Sequence, residues 1–296
     1  MATLPDRVLG WYDQHARDLP WRSPETSPWG VLVSEFMLQQ TPVSRVLPVY
    51  ETWLAAWPTP ADLAAVPAGE AVRAWGRLGY PRRALRLHAA AVAIVAVHDG
   101  EVPGSLEALR ELPGVGDYTA AAVASFAFGA RHAVLDTNVR RVLARHLGGR
   151  AQPPTGVRVD ERLLAETLLP HEPSVAARWA VAVMELGALV CTAASPRCTR
   201  CPVAADCAWR LAGSPAADQA ARRQAWAGTD RQCRGRLMAV LRAAELPVPR
   251  AALEEAWSEP VQRERCLDAL VADGLVEPVG SSGGGGLFAL PGTAPH

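Results

Sequence analysis

Apolar residues recur every three or four positions through most of the first 211 residues, which is the spacing of one face of an α-helix. Proline and glycine mark the breaks between these stretches. The pattern predicts helices over 7–15, 31–38, 61–66, 85–97, 118–128 and 139–147. The best strand candidates come near the C terminus, at 275–279 and 287–290. A mostly helical protein is therefore expected.

The composition changes at 213–224, where Ala, Ser, Pro and Gln predict a linker. Beyond it the pattern predicts helices over 235–245, 249–257 and 261–273, then the two strands joined by a Gly/Ser tip at 280–286. This order resembles a winged helix-turn-helix. Because the match rests on element order alone, a packing or partner-binding role stays as open as DNA binding.

The bulk composition is that of a soluble globular protein, with 49% apolar and 20% charged residues in 296. No apolar run reaches membrane-spanning length, since the longest, 84–97, contains Arg86 and His88. The formal net charge is zero, so any nucleic-acid site must depend on local charge. The basic residues are all arginine, which excludes Schiff-base catalysis by a lysine side chain.

Cys191, Cys198, Cys201 and Cys207 form the run C-x6-C-x2-C-x5-C, which can surround one metal centre. Its single C-x2-C with longer arms favours a [4Fe–4S] cluster over zinc on spacing alone. Two disulfides are less favoured, because the amphipathic start with no secretory signal indicates a reducing compartment. Cys233 and Cys266 lie in apolar helical patterns and are interpreted as core residues.

A second signal is the segment Leu112-Pro113-Gly114-Val115-Gly116, a two-glycine turn before the helix that begins near Asp117. Such a turn lets the backbone approach an anion, such as a DNA phosphate, at a helix N-terminus. Taken alone it is more simply a loop between helices. Asp136-Thr137-Asn138 follows, and there an aspartate can simply cap the next helix.

The chain resembles the helix-hairpin-helix DNA glycosylases with an iron-sulfur cluster. These proteins have the same order of features: the hairpin, a helix, this aspartate and the cysteine run. Within them it resembles the adenine glycosylases of the MutY type. The resemblance covers residues 4 to 211 and is carried by the hairpin, the cysteines and the segments RDLPWR (17–22), SEFMLQQT (34–41), GY (79–80), LDTNVRRVL (135–143) and ELG (185–187).

The resemblance implies a monofunctional glycosylase, because the lysine of endonuclease III-like members is replaced by Tyr118. Glu35, among apolar residues of its predicted helix, matches the acid that protonates adenine, and a buried acid of this kind can stay protonated near neutral pH. Asp136 matches the carboxylate that stabilises the oxocarbenium ion. Tyr118 and Asn138 are its expected polar neighbours.

The resemblance also implies a DNA interface. Arg17, Trp21 and Glu185 match positions near the base pocket, and Gly114 and Gly116 match the hairpin. Gln40 and Tyr80 match wedge residues that enter the duplex when the base is flipped out, while Thr41 and Leu78 match positions near the orphaned purine. Local positive charge is expected from the arginines at 82, 83, 86, 140, 141, 145, 197 and 200.

The expected architecture is an iron-sulfur cluster domain (1–22 and 131–211), a helical barrel with the hairpin (23–130), a linker (212–230) and a winged-helix-like C-terminal domain (231–296). The expected function is excision of adenine opposite 8-oxoguanine or guanine in double-stranded DNA, by a cytoplasmic, nucleoid-associated monomer with a [4Fe–4S] cofactor and no membrane partner. Two alternatives remain open: a thymine or uracil mismatch glycosylase of the same fold, and a non-enzymatic iron-sulfur regulator.

Two features depart from that family. The last seventy or so residues do not resemble the MutT-like domain with which many adenine glycosylases recognise 8-oxoguanine. Pro81 also stands where a second tyrosine is common. Discrimination between the two mismatches is therefore an open question at the level of sequence.

Overall fold

The computed structural model describes residues 2–217, 226–280 and 286–294. The chain forms two compact units, each built from separate stretches of sequence. The first unit comprises Met1–Val31, Gly104–Glu111 and Val115–Ala221, and the second comprises Leu32–Pro103, Leu112–Gly114 and Arg222–His296.

Helices dominate both units. In chain order they are α1 Leu4–His15, α2 Pro28–Leu38, α3 Val43–Ala56, α4 Pro60–Ala64, α5 Ala68–Trp75, α6 Arg82–Val97, α7 Leu106–Glu111, α8 Asp117–Phe128, α9 Thr137–His146, α10 Val159–Thr167, α11 Pro173–Leu189, α12 Ala208–Leu211, α13 Asp230–Ala243, α14 Arg250–Ala256 and α15 Pro260–Ala272. Short 3-10 turns lie at Pro20–Arg22 and Cys198–Arg200.

The first unit is organised around α11, which packs against α1, α8 and α9. Its core joins Val8 and Trp11 of α1 to Val142 of α9 and to Trp179 and Leu186 of α11. Helix α1 begins with a capping box, since the Thr3 side chain and the Asp6 side chain each accept from the other's backbone amide. The apolar contacts hold α1 against α11, although 157 residues of sequence lie between the end of α1 and the start of α11.

The second unit contains α3 to α6, with α6 packed against α4 and α5. Trp53 and Trp75 meet edge to face with ring centroids 5.6 Å apart, and both are fully buried. Edge-to-face aromatic pairs contribute about 0.5–1.5 kcal/mol beyond their buried area. This pair fixes α5 and the loop that follows it.

The C-terminal residues belong to the second unit, where α13 packs against α14 and α15. Three short strands follow the order β1-β3-β2, with β1 at Val248–Pro249, β2 at Glu277–Val279 and β3 at Leu287–Ala289. Both pairings are antiparallel, and Phe288 of β3 lies opposite Val248 on one side and Pro278 on the other. The three helices and the β2–β3 pair agree with the sequence pattern, whereas the two-residue strand β1 was not foreseen.

The helices expected from hydrophobic spacing are confirmed, with ends that differ by a few residues, and Cys233 and Cys266 are buried as expected. Parts of the predicted linker and of the Gly/Ser tip, 218–225 and 281–285, lie outside the described residues. The division into cluster, barrel and C-terminal domains stays a prediction. Among the described residues, no helix has both the length and the apolar character needed to cross a membrane.

Candidate active site

Glu35 lies on α2, and its side chain is almost wholly buried, with 5% of its surface exposed. Its neighbours along the helix, Val33, Phe36 and Met37, are buried as well. Glu35 is therefore withdrawn from solvent, and its role as the acid stays a prediction.

Asp136 is the N-cap of α9. Its Oδ1 accepts from the Val139 amide at 2.6 Å, and its Oδ2 accepts from the Asn138 side-chain amide at 2.7 Å. Burial raises the pKa of Asp136 above its ordinary value, although these two donors and the charge of Arg141 act in the opposite direction. Asp136 therefore caps α9 through Oδ1, and this cap is compatible with a catalytic role for the same carboxylate.

Asn138 links this carboxylate to the interior of the first unit. Its Oδ1 accepts from Arg141 at 2.7 Å, and Arg141 also donates to the carbonyls of Gly187 at 2.7 Å and Cys191 at 2.6 Å. A side chain at Gly187 would place its Cβ 2.6 Å from the Cβ of Asn138. The glycine of the Glu185-Leu186-Gly187 segment thus allows α11 to approach the first turn of α9.

Glu185 is fully buried and forms ion pairs with two arginines from the N-terminal segment. Its carboxylate accepts from the Arg17 backbone amide at 3.1 Å, from Arg17 Nε at 2.7 Å and from Arg22 at 2.8 Å. Burial alone would raise the pKa of Glu185, but the hydrogen bonds and charges of Arg17 and Arg22 lower it to about 2. Glu185 is therefore a carboxylate at neutral pH, and sequence analysis missed Arg22 as its second partner.

Trp21 is buried in the 3-10 turn Pro20–Arg22, between the two arginines that bind Glu185. Tyr118, in the first turn of α8, packs against an apolar cluster that includes Val134, Ala180 and Met184. Both residues belong to the first unit, as do Asp136, Asn138 and Glu185. Glu35, Gln40, Thr41, Leu78, Tyr80 and Gly114 belong to the second unit.

The four cysteines of the run are free thiols and half-buried. Arg145 donates to Cys191 Sγ at 3.5 Å and to the carbonyls of Thr192 at 2.8 Å and Ala193 at 3.0 Å. Burial, together with the three neighbouring thiols, raises the pKa of Cys201 to about 11. Within the described residues, no three Cys, His, Asp or Glu side chains are arranged to hold one metal ion.

The two predicted wedge residues share an uncommon backbone conformation. Gln40 has φ of +54° and Tyr80 has φ of +48°, a left-handed region that non-glycine residues rarely occupy. Both side chains are exposed, Tyr80 with 51% of its surface. Such strain persists where the surroundings enforce it, and it is typical of functional sites.

The buried guanidinium of Arg83 binds main-chain groups next to both residues. It donates to five acceptors, which are the carbonyls of Phe36 (2.8 Å), Met37 (3.1 Å), Gln39 (2.6 Å) and Gly79 (3.0 Å) and the hydroxyl of Thr41 (3.0 Å). It also lies over the rings of Trp75 at 5.2 Å and Tyr80 at 5.5 Å. Arg83 thus satisfies the last carbonyls of α2 and joins the Gln40 loop to the Tyr80 loop.

Thr41 and Leu78 are buried, unlike the two wedge residues beside them. The Thr41 hydroxyl donates to the Leu78 carbonyl at 3.3 Å. The Thr41 hydroxyl and the Leu78 carbonyl therefore join the two loops, and their proximity to an orphaned purine stays a prediction. Sequence similarity alone did not distinguish these buried positions from Gln40 and Tyr80.

The two glycines of the hairpin differ in what they require. Gly114 has φ of +81°, and a Cβ there would lie 2.7 Å from the Cβ of Arg86 and 3.1 Å from Phe36, so a side chain is excluded. Gly116 is the N-cap of α8, has extended backbone and has open space around it. An exposed backbone amide at such a position is suited to a phosphate oxygen.

The structure corrects the expected sources of positive charge. Arg83, Arg140, Arg141 and Arg145 are all buried and donate to internal acceptors, Arg140 to Glu161 at 2.7 Å among them. They are not available to DNA phosphates. Their positions along the helices do not differ from those of solvent-facing arginines, so their burial could not be predicted from helical spacing. The arginines at 82, 86, 197 and 200 are exposed and stay candidates.

Comparison with known proteins identifies the family. Residues 33–166 match the HhH-GPD superfamily of base excision DNA repair proteins. The chain is 52% identical over 293 residues to an adenine DNA glycosylase of Mycolicibacterium smegmatis, covering 99% of this chain and 97% of the relative. It is 54% identical over 290 residues to an adenine DNA glycosylase of Mycobacterium tuberculosis, covering 96% and 92%. The chain belongs to the adenine DNA glycosylases.

Membership in this family sets aside the non-enzymatic alternative, because adenine glycosylases are enzymes that hydrolyse N-glycosyl bonds in base excision repair. The chain is also similar to a thymine-DNA glycosylase of Aeropyrum pernix, but the identity is lower, at 36% over 208 residues, and the match covers 69% of this chain and 92% of that protein.

Solved structures agree on the fold of this adenine glycosylase. A thermostable thymine-DNA glycosylase superposes with a TM-score of 0.63 at 27% identity, covering 70% of this chain and 95% of the other. An endonuclease III–DNA complex superposes with a TM-score of 0.60 at 23% identity, covering 72% and 99%. The mostly helical fold expected from the resemblance is confirmed.

We expect Glu185→Gln to lower the free energy of unfolding by about 3 kcal/mol, because it removes the charged partner of two arginines in a buried pair. The matched control is Asp206→Asn, which breaks the exposed pair with Arg7 and should cost less than about 1 kcal/mol. Denaturant unfolding at pH 7 measures both. Equal losses in the two variants would contradict a special contribution from Glu185.

The same pair predicts a pH dependence. The pKa of Glu185 is about 2 in the folded protein and 4.5 ordinarily, so its contribution is complete above about pH 4.5. It is lost as the pH falls towards 2. The stability difference between the wild type and Glu185→Gln should therefore shrink over that interval, and a difference that grows on acidification would contradict the assignment.

We expect Arg83→Lys to destabilise the second unit by about 2 kcal/mol and to loosen the Gln40 and Tyr80 loops, because an ammonium group cannot donate to five acceptors in a planar fork. Arg45→Lys, at an exposed position on α3, is the charge-conserving control. Unfolding midpoints and amide hydrogen exchange at Gln40 and Tyr80 measure the effect. Wild-type exchange in Arg83→Lys would show that other contacts hold these loops.

Proposed function

We propose that this adenine glycosylase removes adenine paired with 8-oxoguanine or guanine, flipping the base out of the duplex and hydrolysing its glycosidic bond. The observation that carries the mechanism is that both predicted carboxyl groups are withdrawn from solvent. Glu35 is 5% exposed on α2, and Asp136 accepts hydrogen bonds from the Val139 amide at 2.6 Å and from the Asn138 side chain at 2.7 Å. The hydrogen bonds to Asp136 favour its carboxylate form, as its proposed role requires.

In the proposed reaction Glu35 donates its proton to the adenine, which is a poor leaving group as an anion. The bond to C1′ then breaks, and the deoxyribose gains oxocarbenium character. Asp136 stabilises that cation or bonds to C1′ until water adds, as the second carboxylate does in retaining glycosidases. The Val139 amide holds Oδ1 in the helix cap, so Oδ2, which also accepts from Asn138, is the oxygen proposed to face the sugar with its remaining lone pair.

Asn138 is proposed to keep Asp136 ionised. Its amide donates to Oδ2 of Asp136, and its own carbonyl accepts from Arg141, which orients the amide and extends the positive charge towards the carboxylate. The Asn138 hydrogen bond and the charge of Arg141 lower the pKa of Asp136, whereas burial raises it. Tyr118, at the start of α8, is proposed to line the same pocket without forming a covalent bond to the sugar.

The DNA interface is proposed to use Gln40 and Tyr80 as wedges, supported by their exposure and by their positive φ values. The amides around Gly114 and Gly116 are proposed to bind a phosphate, and Arg17 with Trp21 to border the base pocket. Glu185 contributes by fixing Arg17 and Arg22. Since the chain contains no lysine, strand cleavage through a lysine imine is not expected.

A [4Fe–4S] cluster is the proposed cofactor, held by Cys191, Cys198, Cys201 and Cys207. The donor chemistry fits, since four free thiols lie in the segment 191–207 and Arg145 and Arg141 bind the main chain at its start, although no three of the described thiols are arranged around one metal position. The cluster would cross-link this loop, and because the proposed reaction is hydrolytic it is assigned no redox step. The protein is proposed to act as a monomer on double-stranded DNA in the cytoplasm, at the nucleoid.

Base release under single-turnover conditions tests this function, with duplexes that contain A:8-oxoguanine, A:G, A:C, T:G and A:T. We expect adenine release from the first two, with strand breaks only after alkali. Asp136→Asn and Glu35→Gln should each lower the rate by at least about 100-fold. Asparagine is also a good N-cap, so Asp136→Asn should keep α9 intact and isolate the chemistry. Release from T:G alone would place the substrate in the thymine branch.

Metal analysis tests the cofactor. Purified protein should contain about four iron atoms and four sulfides per chain, with little zinc, and Cys198→Ser should lose most of both. Cys233→Ser, at a buried cysteine outside the run, is the control and should retain the iron. One zinc per chain, bound by the same four thiols, would contradict the cluster.

A further inference from the structure

Three exposed side chains of the second unit form a stack at the predicted wedge. The guanidinium carbon of Arg231 lies 5.7 Å from the ring centroid of Tyr80 and 5.2 Å from that of Trp226. Tyr80 precedes α6, whereas Arg231 is in the first turn of α13. The C-terminal residues therefore reach the side chain that is proposed to enter the duplex.

Contacts on both sides of the stack hold α13 in place. Arg73 of α5 donates to the carbonyls of Arg242 at 2.7 Å and Ala244 at 2.6 Å, which are at the end of α13. Arg82, two residues after Tyr80, pairs with Asp273 at 3.2 Å. These bonds tie the C-terminal helices to the loop that carries Tyr80.

The C-terminal tail adds a close backbone contact on the same helix. The amide of Gly69 in α5 donates to the Pro291 carbonyl at 2.8 Å, and a Cβ at Gly69 would lie 2.7 Å from that oxygen. Glycine is needed there for the tail to approach. The C-terminal residues are therefore packed against α5, in the unit that also contains Tyr80.

The stack exposes the groups that bind nucleobases. Trp226 has 53% of its surface exposed and Tyr80 has 51%. Among the described residues Arg231 forms no ion pair with a carboxylate, whereas its helix neighbour Arg234 pairs with Asp273. Aromatic faces and the guanidinium plane both stack on unpaired bases, and the positive charge complements DNA.

We infer that Trp226 and Arg231 extend the Tyr80 wedge and stack on the unpaired purine that remains when adenine is flipped out. The inference rests on the proposed function, since it requires Tyr80 to enter the duplex. It gives the C-terminal domain a direct place in lesion recognition through stacking, without a MutT-like domain. Trp226 and Arg231 are then specificity-determining residues, because a matched duplex offers no unpaired purine.

Equilibrium binding of the full-length protein tests this inference. The probes are a duplex with a tetrahydrofuran abasic analogue opposite 8-oxoguanine and the same sequence fully matched. Trp226→Ala and Arg231→Ala should weaken binding to the abasic duplex about 10-fold and change binding to the matched duplex less than about 2-fold. Arg231→Lys keeps the positive charge but removes the planar guanidinium group that stacks. It should therefore also weaken binding to the abasic duplex and leave binding to the matched duplex nearly unchanged.

Arg236→Ala is the matched control, because Arg236 is exposed on the same helix and outside the stack. It should change binding to both duplexes little and to the same extent. The exposed position of Arg231 makes its two variants independent of any loss of stability in Trp226→Ala. Unfolding midpoints for all four variants confirm that each is folded at the assay temperature.

Two results would overturn the inference. Equal weakening on both duplexes would show phosphate contact without stacking, and wild-type affinity in both Arg231 variants would show that the stack does not touch DNA. Failure of the proposed function is separate, since it shows as no adenine release by the wild type from any duplex. If the wild type releases adenine and the variants bind as it does, only the stacking inference fails.

Discussion

Donation from buried guanidinium groups to main-chain carbonyls is the interaction on which both candidate regions depend. In the first unit Arg141 donates to Asn138 and to the carbonyls of Gly187 and Cys191, so the first turn of α9 and the beginning of the cysteine run share one cation. Arg145, one turn further on, donates to the carbonyls of Thr192 and Ala193. The predicted catalytic carboxylate and the predicted cluster loop are thereby held by one face of one helix.

The second unit uses the same solution at α2. The end of a helix leaves carbonyls without intrahelical partners, and Arg83 supplies donors for those of Phe36 and Met37 while it also binds Gly79. Its acceptors include the carbonyls directly before Gln40 and Tyr80, the two residues with positive φ values. A planar, permanently charged group with several donors is suited to this task in a way that an ammonium group is not. Because all its basic residues are arginine, this chain can bury cations that hydrogen-bond several main-chain segments at once.

The electrostatic consequence is a division of charge between the interior and the surface. Four arginines that were predicted to contact DNA are buried. Glu185 is buried too, and it pairs with the half-buried Arg17 and Arg22. With a net charge of zero, DNA binding has to depend on exposed arginines that are grouped locally. This makes the exposed Arg231, stacked between Trp226 and Tyr80, a more informative feature than the arginine-rich helix α9.

The sequence by itself determined the helical class, the positions of most helices, the burial of Cys233 and Cys266, and the family, because hydrophobic spacing and local motifs depend on neighbours in the chain. Hairpin glycines, the α9 cap and the cysteine spacing are local in the same sense. Tertiary structure decided what depends on partners distant in the chain: that Glu185 binds Arg22 as well as Arg17, and that Thr41 and Leu78 are buried beside an exposed Tyr80. It also decided that Arg83 faces inward while Arg231 faces solvent, since an arginine shows the same helical spacing in both cases. Its environment is set by the elements that pack around it.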